Sequence, residues 1–174
     1  MKTKNVVLAK NVDSVLTQNQ TNLPHRILVV DDDSDIRRLN AEVLKSSGYE
    51  VDTAEDGEVG LEKVLHAVSY APDSYDLLIT DYQMPKLSGL DLVKKLRAER
   101  MALPVIIATG TLPKEKFTQC PWLQPAAILL KPYTVEELLG TVREVLRATV
   151  SAYAQVKLLP DWRSQPPASG LQLR

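Results

Sequence analysis

The stretch Ile27-Leu28-Val29-Val30-Asp31-Asp32-Asp33-Ser34-Asp35 decides the architecture of this 174-residue chain. Four successive apolar residues, too few for a buried helix, suit a strand covered on both faces, as strands of a parallel sheet are. The acidic run that follows therefore stands at that strand's carboxyl end. Outward from it, Ile36, Leu39, Val43 and Leu44 fall at helical spacing until Ser47-Gly48 stops the pattern. Within the acidic run, Asp33, Ser34 and Asp35 read as a helix start, where capping and acidic side chains satisfy free N–H groups and the helix dipole.

Strand followed by helix then recurs along the chain. Glu50-Val51-Asp52-Thr53-Ala54 alternates as a half-solvated strand does, and Leu61, Val64, Leu65 and Val68 resume helical spacing. Leu77-Leu78-Ile79-Thr80 leads through Met84-Pro85 to a helix carrying Leu90, Val93 and Leu96. Leu103 to Ala108 gives a fourth strand and Ala127 to Leu130 a fifth. A last helix carries Val135, Leu138, Leu139, Val142, Val145 and Leu146, with Thr134 and Glu137 spaced as a capping box. The expected fold is α/β, a doubly wound five-stranded parallel sheet of flavodoxin-like type. The alternating second strand belongs at an edge, which fits the order 2-1-3-4-5. The domain spans 25–150, between an N-terminal extension at 1–24, mostly irregular with at most a short helix around Val12 to Leu16, and a tail at 151–174.

Composition narrows the classes of function. With 44% apolar and 25% charged residues, a net charge of -1 and 7 glycines, the chain is neither disordered, nor basic enough for a typical nucleic-acid binder, nor collagen-like. No apolar run approaches the roughly 18 residues of a membrane helix. Val6-Val7-Leu8-Ala9 is too short for a secretory segment, so a cytoplasmic protein is expected. The single cysteine, Cys120, supports neither a disulfide nor a thiolate metal site.

In a sheet of this kind, chemistry is sought at the carboxyl ends of the strands. Asp31 and Asp32 stand after the first, Asp81 after the third, Thr109 after the fourth and Lys131-Pro132 after the fifth. Carboxylates gathered in one crevice raise one another's pKa or recruit a cation. A hard divalent ion resolves this, and Mg²⁺ characteristically takes one or two carboxylates, water and a phosphoryl oxygen. Lys131 adds positive charge and Thr109 a hydroxyl donor for such a group. As isolated residues, Asp81 reads as a turn former, Lys131 as a solvated lysine and Thr109 as a turn residue. Their convergence on one rim favours the site. His25 and His66 have no cluster around them, and Phe117, Trp122 and Tyr133 read as packing groups.

Four segments, Ile27 to Asp33, Leu77 to Pro85 with Ser88-Gly89-Leu90, Leu103 to Gly110 and Leu130 to Tyr133, together resemble the CheY-like receiver domain of two-component response regulators. The resemblance implies that Asp81 is the phosphoacceptor, taking a phosphoryl group from a sensor histidine kinase or a phosphotransfer protein. It implies Mg²⁺ as cofactor, held by Asp31, Asp32, Asp81 and the Gln83 backbone carbonyl. Thr109 and Lys131 become the switch and phosphoryl-binding residues, and Pro132 follows a cis peptide bond. The product is a change in protein contacts with a downstream target of unknown identity, not turnover of a metabolite.

Two departures from the family are visible. Pro113, Pro121 and Pro125 break the segment that usually carries a longer fourth helix, so a short helix is expected at about Pro113 to Gln119. Ile128 stands where the family often carries an aromatic residue. The residues after 150 contain no second set of helices for binding DNA, which suits a standalone receiver or one cut from a hybrid kinase. Two other functions compete. Asp31 and Asp33 form the Asp-x-Asp of haloacid-dehalogenase-like phosphatases, although no late acidic pair accompanies it. A pseudo-receiver that only binds partners would leave the complete acidic, threonine and lysine set unexplained.

Overall fold

The computed structural model describes residues 24–69, 74–111 and 121–157. The expected helix at Pro113 to Gln119, the start of the chain and its end lie outside them. Five strands, β1 (Arg26–Val30), β2 (Glu50–Ala54), β3 (Leu77–Asp81), β4 (Val105–Thr109) and β5 (Ala127–Leu130), form one parallel sheet in the order β2-β1-β3-β4-β5. They alternate with helices α1 (Ser34–Ser46), α2 (Gly57–Ser69), α3 (Gly89–Ala98) and α4 (Val135–Lys157), and a short 3₁₀ turn at Pro121–Leu123 precedes β5.

Alternate residues of each central strand feed two apolar layers. On one face Leu28, Val30, Leu78 and Ile107 pack with Val64 of α2 and with Leu92, Val93 and Leu96 of α3. On the other, Ile27, Val29, Ile79 and Ile106 meet Leu44 of α1 and Leu138, Val142 and Leu146 of α4. Burying each such side chain contributes roughly 1.5–3 kcal/mol, so the two layers together clamp the sheet between its helices. The edge strand β2 is only partly covered and closes with buried Ala54. Register then sets the rim. Asp81 pairs with Ala108, Thr109 with Leu130, and Asp31 follows the Val30–Ala54 pair, which brings the polar strand ends to one level.

Local chemistry fixes the helix starts. The Asp33 side chain accepts hydrogen bonds from the N–H groups of Asp35 and Ile36, capping α1. Thr134 and Glu137 form a reciprocal capping box at α4, Glu137 accepting from the Thr134 N–H at 2.7 Å and donating its own N–H to Thr134 Oγ1 at 3.2 Å. α4 runs past residue 150, because neither Gly nor Pro interrupts residues 141–159.

Candidate functional site

The crevice at the carboxyl ends of the strands is organised around one lysine. Lys131 Nζ, just beyond β5, donates to Asp31 Oδ2 at 3.0 Å and also to Asp81 Oδ1 in a shorter contact. A single ammonium thus joins carboxylates carried by β1 and β3. Burial pushes the Asp31 carboxyl up against the pull of Lys131, since its side chain is only 4% exposed. Burial acts to lower the Lys131 ammonium, but its bonds to Asp81 and Asp31 outweigh that and raise it. The cluster sets two carboxyl groups against one ammonium in a partly buried cleft.

The loop after β3 is tied to the same carboxylate. The Gln83 N–H donates to Asp81 Oδ2 at 2.6 Å, which holds the start of the loop beside that carboxylate. Gly89, the first residue of α3, lies against the Asp81 backbone, where a Cβ would collide with the Asp81 carbonyl and the Thr80 hydroxyl. Asp31 Oδ1 accepts from the Asp33 N–H at 3.0 Å. From α1, Arg37 donates to the Asp31 carbonyl at 2.6 Å and reaches the Asp32 carbonyl at 3.4 Å, pinning the turn that carries both acids.

Asp31, Asp81, Gln83 and Lys131 are therefore brought together. Asp32 stands exposed at the rim. Thr109 is buried at the end of β4, with its hydroxyl donating to the Thr111 carbonyl at 2.9 Å and closing its own turn. Its link to Lys131 runs through the backbone, the Lys131 N–H donating to the Thr109 carbonyl at 2.9 Å. The Lys131-Pro132 peptide is cis. Tyr133, next in the chain, accepts from the Nδ2 of buried Asn40 at 2.8 Å, joining the β5–α4 turn to α1. Sequence reading assigned no role to Arg37 or Asn40, because an arginine and an asparagine on a helix announce no partner at this distance along the chain.

The donor set consists of oxygen atoms alone. Among the described residues, no group of three or more His, Cys, Asp or Glu side chains forms a ready metal cage. An ion here would rest on a pair of carboxylates, a backbone carbonyl and water, which suits a hard divalent cation and not a soft one. Asp33 is spent on the α1 cap, which removes the second acid of the Asp-x-Asp pattern and with it the phosphatase reading.

A doubly wound α/β sheet with an acidic crevice bridged by a lysine just beyond its last strand defines a class of phosphoryl-handling signalling domains. Comparison with known proteins specifies it. The family model described as the response regulator receiver domain matches residues 27–143, and the chain belongs to that family. Response regulator ArlR of Staphylococcus aureus is 33% identical over 124 residues, covering 70% of this chain and 52% of that protein, so the chain spans about half the length of the curated relatives it matches. Among solved structures, the chemotaxis protein CheY4 of Vibrio cholerae is 31% identical with a TM-score of 0.62, covering 71% of this chain and 99% of that one. TrrA of Thermotoga maritima, solved in complex with Mg²⁺ and BeF, is 33% identical with a TM-score of 0.58, covering 70% of this chain and 98% of that one. Receiver domains are signalling modules served by histidine kinases or phosphotransfer proteins. No helix among the described residues is long and apolar enough to cross a membrane.

Proposed function

We propose that this chain is a phosphorylation switch in which Asp81 receives a phosphoryl group from the phosphohistidine of a sensor histidine kinase or phosphotransfer protein. The observation that carries the reading is Lys131, shared between Asp31 and Asp81 where three strands converge. In the transfer, an Asp81 carboxylate oxygen forms a bond to phosphorus as the phosphorus–nitrogen bond breaks. The donor imidazole leaves with the electron pair. Positioning and charge neutralisation do most of the work in such a step. Mg²⁺, held by Asp31, Asp32, Asp81 and the Gln83 carbonyl, would supply the positive charge that lets an anionic donor approach an acidic crevice. Its use by this chain is supported by the oxygen donor set and by the Mg²⁺ complex of TrrA.

This chain's own groups do the rest. Lys131 transfers its contact from the Asp81 carboxylate to the new phosphoryl oxygens. Thr109 exchanges the Thr111 carbonyl for the same anion, which draws the β4 loop inward. The Lys131–Thr109 backbone bond makes β5 follow. A surface rearranged in this way changes affinity for a downstream protein, with the domain working in the cytoplasm and without a metabolite substrate.

The test is intact mass after incubation with acetyl phosphate, with Mg²⁺ or with EDTA, for wild type and Asp81→Asn. One added phosphate that needs both Mg²⁺ and Asp81 is the expected result. Label that persists in Asp81→Asn and maps to Asp31 would overturn the assignment. Wild type that takes neither phosphate nor beryllofluoride is a binding module without phosphoacceptor chemistry.

A further inference from the structure

Beside the crevice lies an ion pair with no part in the proposed chemistry. Asp56, immediately before α2, is 2% exposed, and its Oδ1 accepts from the N–H groups of Glu58 and Val59, each at 2.9 Å. Its Oδ2 accepts from Lys86 Nζ at 2.5 Å. Capping a helix asks for one acceptor oxygen, which a neutral Asn supplies as well as an Asp. The charge on Asp56 is therefore surplus to the cap, and its partner explains it.

Lys86 sits in the loop at 82–88, which runs from Asp81 to α3, and adopts φ 63, a left-handed conformation that costs an L side chain free energy. The next residue is docked too. The Leu87 carbonyl lies so close to Gly57 that a Cβ there would collide with it. Two successive residues of the loop thus meet the start of α2, Lys86 through its ion pair and Leu87 by close approach. Its two ends are fastened at Asp81, by the Gln83 N–H and by Gly89. The Asp56 carboxylate is buried while the Lys86 side chain is half exposed, so removing either partner takes away the charged contact that holds the left-handed turn against α2.

Building on the receiver chemistry proposed above, we propose that Asp56 and Lys86 are positioning residues for the metal centre. Their ion pair helps hold the 82–88 loop against α2 and so positions the segment that carries the Gln83 carbonyl, without either side chain touching the ion. Outer partners of this kind tune metal affinity by orienting the groups that bind.

The experiment is calorimetric titration of the full chain with Mg²⁺, paired with thermal unfolding, for wild type, Lys86→Gln, Asp56→Asn, the double variant and Lys86→Arg. Each single variant should raise the Mg²⁺ dissociation constant about tenfold, the low end of the loss seen when an outer partner is removed. The double variant should be no worse than either single, and Lys86→Arg should restore most of the affinity. Asp56→Asn keeps the cap, so its thermal midpoint should stay near that of wild type, which separates positioning from loss of fold. Mg²⁺ affinities indistinguishable from wild type, or shifts that add in the double variant, would overturn the proposal. A wild type that binds no Mg²⁺ and takes no phosphate would defeat the receiver chemistry itself. Mg²⁺-dependent labelling of wild type alongside unshifted variants would defeat this inference alone.

Discussion

At one end of the sheet Lys131 is shared between Asp31 and Asp81, and at the other Arg26 is bound to Asp52 through both Nε at 3.1 Å and Nη2 at 2.7 Å. Arg26 also lies over the Tyr75 ring, 4.8 Å from its centroid, and its backbone N–H donates to Asp76 at 2.9 Å. The Tyr75 hydroxyl donates to Asp52 at 2.9 Å, and burial together with that carboxylate pushes it up to about 12. Both ends pair a cation with acids, yet they behave differently. A guanidinium held in plane by a carboxylate and an aromatic face has one arrangement, whereas an ammonium on a flexible stem can turn to a new anion without breaking the fold. The amino end of the sheet fastens strands, and the carboxyl end keeps its charge free to be redirected.

The variant with the largest expected effect is Gly89→Ala. Its methyl group must displace the Asp81 backbone, so a loss of about 3 kcal/mol in urea unfolding is expected, together with loss of phosphate labelling. Lys131→Ala removes the bridge and leaves two carboxylates facing each other, at a cost of about 2 kcal/mol at neutral pH. Adding Asp31→Asn should recover part of that, and urea midpoints of the two variants measure it. Arg26→Ala, at the other end, should cost about 1 kcal/mol, since its ion pair is partly exposed, and should leave labelling unchanged. Equal loss of labelling in the Arg26 and Lys131 variants would break the contrast between the ends.

The smallest effect on stability has the opposite sign. Because burial holds the folded Asp31 carboxyl above its ordinary 3.8, the fold gains from its proton at low pH and loses that gain as pH rises through the folded value. Asp31→Asn, neutral throughout, should therefore melt above wild type at pH 7, and the gap should close toward pH 3. Thermal midpoints across that range check the sign.

Much of this was readable from the residues. The apolar runs of β1, β3 and β4 declared a parallel sheet, the alternation of β2 placed it at an edge, and Asp33 and Thr134 announced helix starts through their short polar side chains. The acidic residues, Thr109 and Lys131 were placed at the rim because a strand's carboxyl end follows from where its apolar run stops. Pairings between distant residues were not legible. Asp56 and Lys86 are thirty positions apart, and their contact depends on a left-handed turn that no local pattern marks. Arg26 meets Asp52 only through the β1–β2 register. Thr109 directs its hydroxyl into its own turn, donating to a carbonyl two residues away, a local bond that satisfies a buried donor and that no sequence pattern marks.

The length of α4 has a mechanical consequence. Its 23 residues rise about 1.5 Å each, giving a rod of roughly 35 Å, while a five-residue strand of the sheet spans only about 17 Å. One end of the rod is rooted just after Lys131 and Tyr133, and the helix is about twice as long as a strand. A tilt of about 10° at the root would carry Lys157 through roughly 6 Å, by the same rise per residue. A helix of this length would act as a lever arm for any tilt at its root, moving an object attached to its far end by several times the displacement at the source.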